Sequence, residues 1–187
     1  RGIPSASEDI IVARDAIISE MTGCRMHIQY ISTAGAVRIV RDARARRIPI
    51  SAEATPHHIA LTDERLSGFD PNFKMKPPLR SENDRRAILK GLADGTIEAI
   101  ATDHAPHTET EKNLEFDYAP FGVVGLETAL PVCLTELYHK KILTLKELVS
   151  KFTVGPARIL GLGSGRLSMG APADITIFDP GRSFTVD

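Results

Sequence analysis

The chain has 187 residues, 42% of them hydrophobic, and a formal net charge of -1. That length is enough to bury one sizeable core, and the near-neutral balance excludes the broad electrostatic pull that binds nucleic acid or an anionic membrane. Cys24 and Cys133 are the two cysteines. They are too few for a disulfide framework or a thiolate metal cluster, so reduced thiols and a cytoplasmic setting are expected. The longest apolar run, residues 121–134, is interrupted by Glu127 and Pro131, and no charged-then-apolar leader opens the sequence. Neither a membrane span nor secretion is therefore expected.

In chain order, Ser5 and Glu8 have the spacing of a capping box, and Ile10, Ala13, Ile17 and Met21 recur at helical spacing before Gly23. Residues 24–31 alternate and are β-branched enough for a strand that carries His27 and Tyr30 toward its end. From Thr33 a second helix buries Ala36, Val37, Val40 and Ala43. Its Arg38, Arg41, Arg44, Arg46 and Arg47 lack the interleaved aromatics of a nucleic-acid surface and are read as a solvated face. Residues 48–55 form the next strand, closing in Glu53, Thr55, Pro56, His57 and His58. Ser81 with Asp84 starts a helix through Ile88 and Leu92 that Gly95 ends, and residues 97–103 follow as a strand. This alternation predicts parallel βαβ units.

The third strand stops abruptly at Asp103, followed by His104, Pro106 and His107. A lone aspartate at a strand end more often caps a turn. Two histidines beside it, and polar residues at three successive strand tips, make Asp103 the first candidate for chemistry, because parallel barrels build their sites at that rim. Residues 113–125 read as a loop containing Ala119, Pro120, Phe121 and Gly122. Helices are expected over roughly 126–139 and 145–152, the latter opened by a Thr144 and Glu147 capping box, with a short helix to Leu160. A glycine-rich turn at 161–165 marks a boundary, and residues 173–179 alternate as a half-exposed strand of a separate antiparallel layer would.

Taken together, Ser51-Ala52-Glu53-Ala54-Thr55-Pro56-His57-His58, Lys74-Met75-Lys76-Pro77-Pro78-Leu79-Arg80, Thr102-Asp103-His104-Ala105-Pro106-His107 and Ala119-Pro120-Phe121-Gly122 resemble bacterial-type (class I) dihydroorotase of the amidohydrolase superfamily. The resemblance implies an α/β fold, the C-terminal part of a (β/α)8 TIM barrel. A complete barrel needs roughly 250 residues, so about three strand-helix units are present, with residues 1–160 as partial barrel and 161–187 as the start of a small composite β-domain. It also implies hydrolysis of dihydroorotate to N-carbamoyl-aspartate in pyrimidine synthesis, with one or two zinc ions.

In that resemblance Asp103 touches metal and shuttles the proton, His107 binds substrate, and Phe121 and Gly122 meet it through their backbone. His104, His57 and His58 have no assigned metal role and are read as packing or orienting residues. Tyr30 stands where the family has a metal-ligating histidine, and a phenol of pKa about 10 is a poorer ligand near neutrality than an imidazole. His27 is expected to face away from Tyr30, three residues along the strand. Lys76 replaces a substrate-binding asparagine and offers the substrate's carboxylate a point charge. The family's other metal ligands fall outside this chain, so an N-terminal half is the implied partner, alongside a homo-oligomer, and the chain alone is expected to be inactive. The alternatives are a non-catalytic scaffold for aspartate transcarbamoylase and another cyclic amidohydrolase, a hydantoinase or allantoinase.

Overall fold

The computed structural model describes residues 2–185. Three parallel strands, β1 (Met26–Ile28), β2 (Ile50–Ala54) and β3 (Ala99–Ile100), lie in the order β1-β2-β3. Helix α2 (Ala34–Ala45) connects the first pair, and α4 (Glu82–Ala93) connects the second. The expected βαβ alternation is therefore present. β2 shows why: Ile50, Ala52 and Ala54 are buried in the helix-covered core with Val37, Val40, Ile88 and Leu92, whereas Ser51 and Glu53 alternate onto the other, half-buried face. The strands are shorter than the apolar runs suggest. Contact continues past their ends through Ile31 N–H to the Glu53 carbonyl and Ala101 N–H to the Ala54 carbonyl, at 2.9 and 3.0 Å.

Helix α1 (Ser5–Thr22) forms where expected and stops at Gly23, whose φ of 70° makes the left-handed cap. Two expectations about it fail. No side chain caps its N-terminus, and the Glu8 carboxylate instead accepts the Ser32 and Thr33 N–H groups ahead of α2, at 2.7 and 3.1 Å. The stripe of Ile10, Ile17 and Met21 is exposed, and the packed face is Val12, Ala16 and Ser19. Local spacing found the period but not the face, because α1 lies against α2 through its smaller residues.

After β2 come α3 (Pro56–Ala60) and two 3-10 segments, Asp63–Gly68 and Pro71–Phe73. After β3 come α5 (Glu109–Lys112), α6 (Ala129–Cys133) continued by a π-helical turn over Leu134–His139, α7 (Leu145–Phe152) and α8 (Val154–Leu160). The Thr144–Glu147 capping box is present. The expected strand over residues 173–179 is not: no strand forms there, and Ile175 and Ile177 are exposed. Alternation alone makes no ladder, and none of the described residues offers this segment a partner. Residues 186 and 187, part of the expected small domain, lie outside the described residues.

Candidate active site

The C-terminal ends of the three parallel strands open on one rim. It carries Tyr30 beyond β1, Glu53 within β2 and Asp103 beyond β3. Two of these sit in left-handed backbone, Tyr30 at φ 52° and Asp103 at φ 48°. A bulky side chain at positive φ is costly by about 1–3 kcal/mol, and such strain concentrates at functional sites. The electrostatics agree. Burial and the neighbouring Glu53 carboxylate raise Asp103 above the ordinary aspartate range, a perturbation of the kind that marks candidate functional sites. Burial, Asp103 and Glu53 together raise the Tyr30 phenol, so it remains protonated near neutrality.

His27 departs from expectation. Its Nε2 lies 3.1 Å from Glu53 Oε2 and its Nδ1 2.8 Å from Ser51 Oγ. Nε2 donates to the carboxylate, and Nδ1 pairs with the serine hydroxyl, which also lies 3.3 Å from the Met26 carbonyl. His27 and Tyr30 line one cavity instead of facing apart, because the strand ends at Ile28 and the left-handed Tyr30 breaks the alternation. Lys76 lines the same cavity, with Pro77, Pro78 and Arg80.

The other predicted residues gather above β3. His107 Nε2 donates to the Phe121 carbonyl at 2.9 Å. Gly122, at φ 146°, packs so closely that a Cβ there would lie 2.6 Å from the Ala105 carbonyl and 2.9 Å from His107 Nε2. Three of the positions read as substrate-binding from sequence, His107, Phe121 and Gly122, are thus in contact with one another, while Lys76 lines the separate cavity beside β1. His104 and His58 are tied into the framework as orienting residues. His104 Nδ1 accepts the Gly125 and Leu126 N–H groups at 3.1 and 3.2 Å. His58 takes the Thr55 hydroxyl on Nδ1 and donates from Nε2 to the Pro78 carbonyl, at 2.7 and 3.2 Å. Burial holds His57 neutral, with its pKa lowered to about 3, and His58 with its pKa lowered to about 4.

Sequence reasoning missed Lys74 and Lys112, whose ammonium groups meet main-chain carbonyls around Phe121. The one available signal was a lysine set in the apolar run Phe73-Lys74-Met75. No three His, Cys, Asp or Glu side chains among the described residues converge as metal ligands. The rim offers the Asp103 and Glu53 carboxylates beside a phenol, and that set does not fit a zinc site by itself.

Parallel strands joined by helices, with polar residues at one rim, define an α/β enzyme-type scaffold, and the chain belongs to the Amidohydrolase family, which it matches over residues 5–186. Within that family it is 54% identical to the dihydroorotase of Pelotomaculum thermopropionicum over 187 residues, which is 100% of this chain and 44% of that protein. It is 53% identical to the dihydroorotase of Anaeromyxobacter sp. strain K over 189 residues, covering 100% of this chain and 43% of that protein. Among solved structures, L-hydantoinase (dihydropyrimidinase) from Arthrobacter aurescens superposes with a TM-score of 0.85 at 27% identity, covering 91% of this chain and 39% of that one. The chain spans less than half the length of these relatives.

Proposed function

We propose that this chain is the Asp103-bearing, C-terminal part of a dihydroorotase-like cyclic amidohydrolase, a portion of a (β/α)8 barrel with residues 161–187 beginning a small β-domain. The reaction is hydrolysis of the cyclic amide of dihydroorotate to N-carbamoyl-aspartate, or its reverse. The observation that carries this reading is the position of Asp103, at the tip of the last of three parallel strands, in a chain that resembles dihydroorotases along its whole length. Asp103 takes a proton from the attacking water as its oxygen bonds to the ring carbonyl carbon. It then delivers that proton to the ring nitrogen as the carbon–nitrogen bond breaks, so one carboxylate serves as base and then acid. Its raised pKa keeps the proton transferable in both directions. His107 fixes the Phe121 carbonyl, and with it the Phe121–Gly122 backbone that meets substrate. Lys76 supplies a cation for the substrate's carboxylate.

Zinc belongs to the proposal for the parent protein, in which Asp103 is the one ligand this chain contributes, and no step above is routed through it. The cytoplasmic setting, a homo-oligomer and association with aspartate transcarbamoylase are further parts of the same proposal. No helix among the described residues is long and apolar enough to cross a membrane. The deciding experiment measures hydrolysis of dihydroorotate, hydantoin and allantoin by the parent protein. A preference for dihydroorotate supports the proposal. Preference for hydantoin would favour the hydantoinase reading, and no turnover of any substrate would favour the scaffold reading that Tyr30 raised.

A further inference from the structure

We infer that Lys74 and Lys112 are positioning residues, a pair of ammonium clamps that hold the Phe121–Gly122 backbone against His107. Lys74 is 8% exposed, and its Nζ donates to the Phe116 and Asp117 carbonyls at 2.7 and 3.1 Å. The same nitrogen stands 4.6 Å from the Phe121 ring centroid and 5.4 Å from that of Phe116, within cation–π range of both. Lys112, from the last turn of α5, donates to the Pro71, Pro120 and Lys74 carbonyls at 3.0, 3.1 and 3.4 Å. Neither lysine makes an ion pair with a carboxylate among the described residues. Burial and the neighbouring Lys74 cation lower the pKa of Lys112 against the opposing pull of the Asp70 carboxylate, so both ammonium groups depend on having their protons answered. Here the answering groups are carbonyls and ring faces drawn from two loops.

The consequence is mechanical. Residues 113–121 carry no strand, and their carbonyls have few backbone partners of their own. Gly122 N–H bonds back to the Lys74 carbonyl at 3.0 Å, so the two loops are joined at both ammonium groups and at one amide. A lysine suits this role because three rotatable donors on one nitrogen reach carbonyls from separate segments. Ala105 N–H also bonds the Val123 carbonyl at 3.0 Å and His107 holds Phe121, so the segment is tied to the histidine loop as well as to the two lysines. The substrate-facing part of this inference rests on the reading of Phe121 and Gly122 given above.

The test is amide hydrogen exchange on the intact protein, compared with steady-state kinetics. Lys112→Met and Lys74→Met are each expected to speed exchange at Gly122 at least tenfold, leave β2 amides unchanged, and raise KM for dihydroorotate severalfold with kcat within twofold. Lys112→Arg, which keeps the charge and the donors, is expected to recover most of both effects, and Lys74→Gln is the fallback if a methionine variant fails to fold. Unchanged Gly122 exchange in both methionine variants would overturn the inference. Faster exchange with unchanged KM would overturn the substrate-facing part. If the unmutated protein turns over no dihydroorotate, the functional reading fails, and the exchange result still judges the clamp.

Discussion

The two ends of the parallel strands treat charge differently. At the basal end charges are answered: Arg41 Nη2 stands 2.8 Å from Asp94, and the Lys151 Nζ donates to the Ile97 carbonyl at 2.6 Å. Arg44 Nη1 lies 2.7 Å from Glu98, an ion pair whose alignment falls short of a hydrogen bond. At the rim His27 answers Glu53, yet Glu53 still raises Asp103, which has no such partner among the described residues, a phenol is raised by both carboxylates, and Tyr30 and Asp103 hold left-handed backbone. Pairing at the base stabilises the fold, and repulsion between carboxylates at the rim is what a reactive site retains, whereas left-handed backbone occurs at both ends, Arg47 at the base having φ 63°. Immediately behind the rim the pattern reverts, since Glu8 and Arg80 bind the turn ahead of α2.

This contrast can be broken most directly through Asp103. Asp103→Asn is expected to reduce dihydroorotate hydrolysis by the parent protein by about 10²- to 10⁴-fold. The urea midpoint should hold or rise, because a repelling carboxylate is gone and asparagine tolerates left-handed backbone. A marked fall in stability would show that Asp103 serves the fold. Next in size is Glu8→Ala, which removes the carboxylate facing Arg80, only 8% exposed and otherwise held by the Ser32 hydroxyl and the Ile3 carbonyl, and leaves two amides unanswered. The expected loss is about 3–5 kcal/mol by denaturant unfolding; a loss below about 1 kcal/mol would remove the paired layer from behind the site.

The buried histidines sharpen the comparison through pH. Their pKa values fall from 6.5 to about 3 for His57 and about 4 for His58 on folding. Below pH 6.5 the unfolded chain therefore binds protons that the folded chain refuses, so stability falls as pH drops from 6.5 toward those folded values. His57→Leu should flatten the dependence of the unfolding midpoint on pH by about one proton in that window and leave it unaltered above neutrality. An unchanged slope would mean that His57 is already protonated in the fold. The smallest effect belongs to the base. Arg41→Ala breaks a pair whose side chains are 37% and 34% exposed, and it should cost less than about 1 kcal/mol.

Much of this was legible along the chain. Ser81 and Thr144 announced helices because their caps are satisfied three residues away, and Ile50 to Ala54 announced a strand because alternation is a property of neighbours. The same logic misled at Ser5 and Glu8, where the capping spacing is present but the carboxylate serves Ser32 and Thr33 instead. It also misled at residues 173–179, where alternation met no partner strand. At the site, His107, Phe121 and Gly122 were named from motifs, and their mutual contact was not.

The sequence by itself determined the order of strands and helices, and so that Asp103, Glu53 and Tyr30 fall at or just beyond strand ends, because periodicity and capping act over a few residues; the strands themselves stop earlier than the sequence suggested. Tertiary structure alone decided that His27 turns toward Glu53 with Tyr30 on the same cavity, that Glu8 serves another helix, and that two lysines bind the Phe121 loop. Most of those partners lie tens of positions apart, and a donor so placed is matched by what surrounds it in space, which no local pattern records.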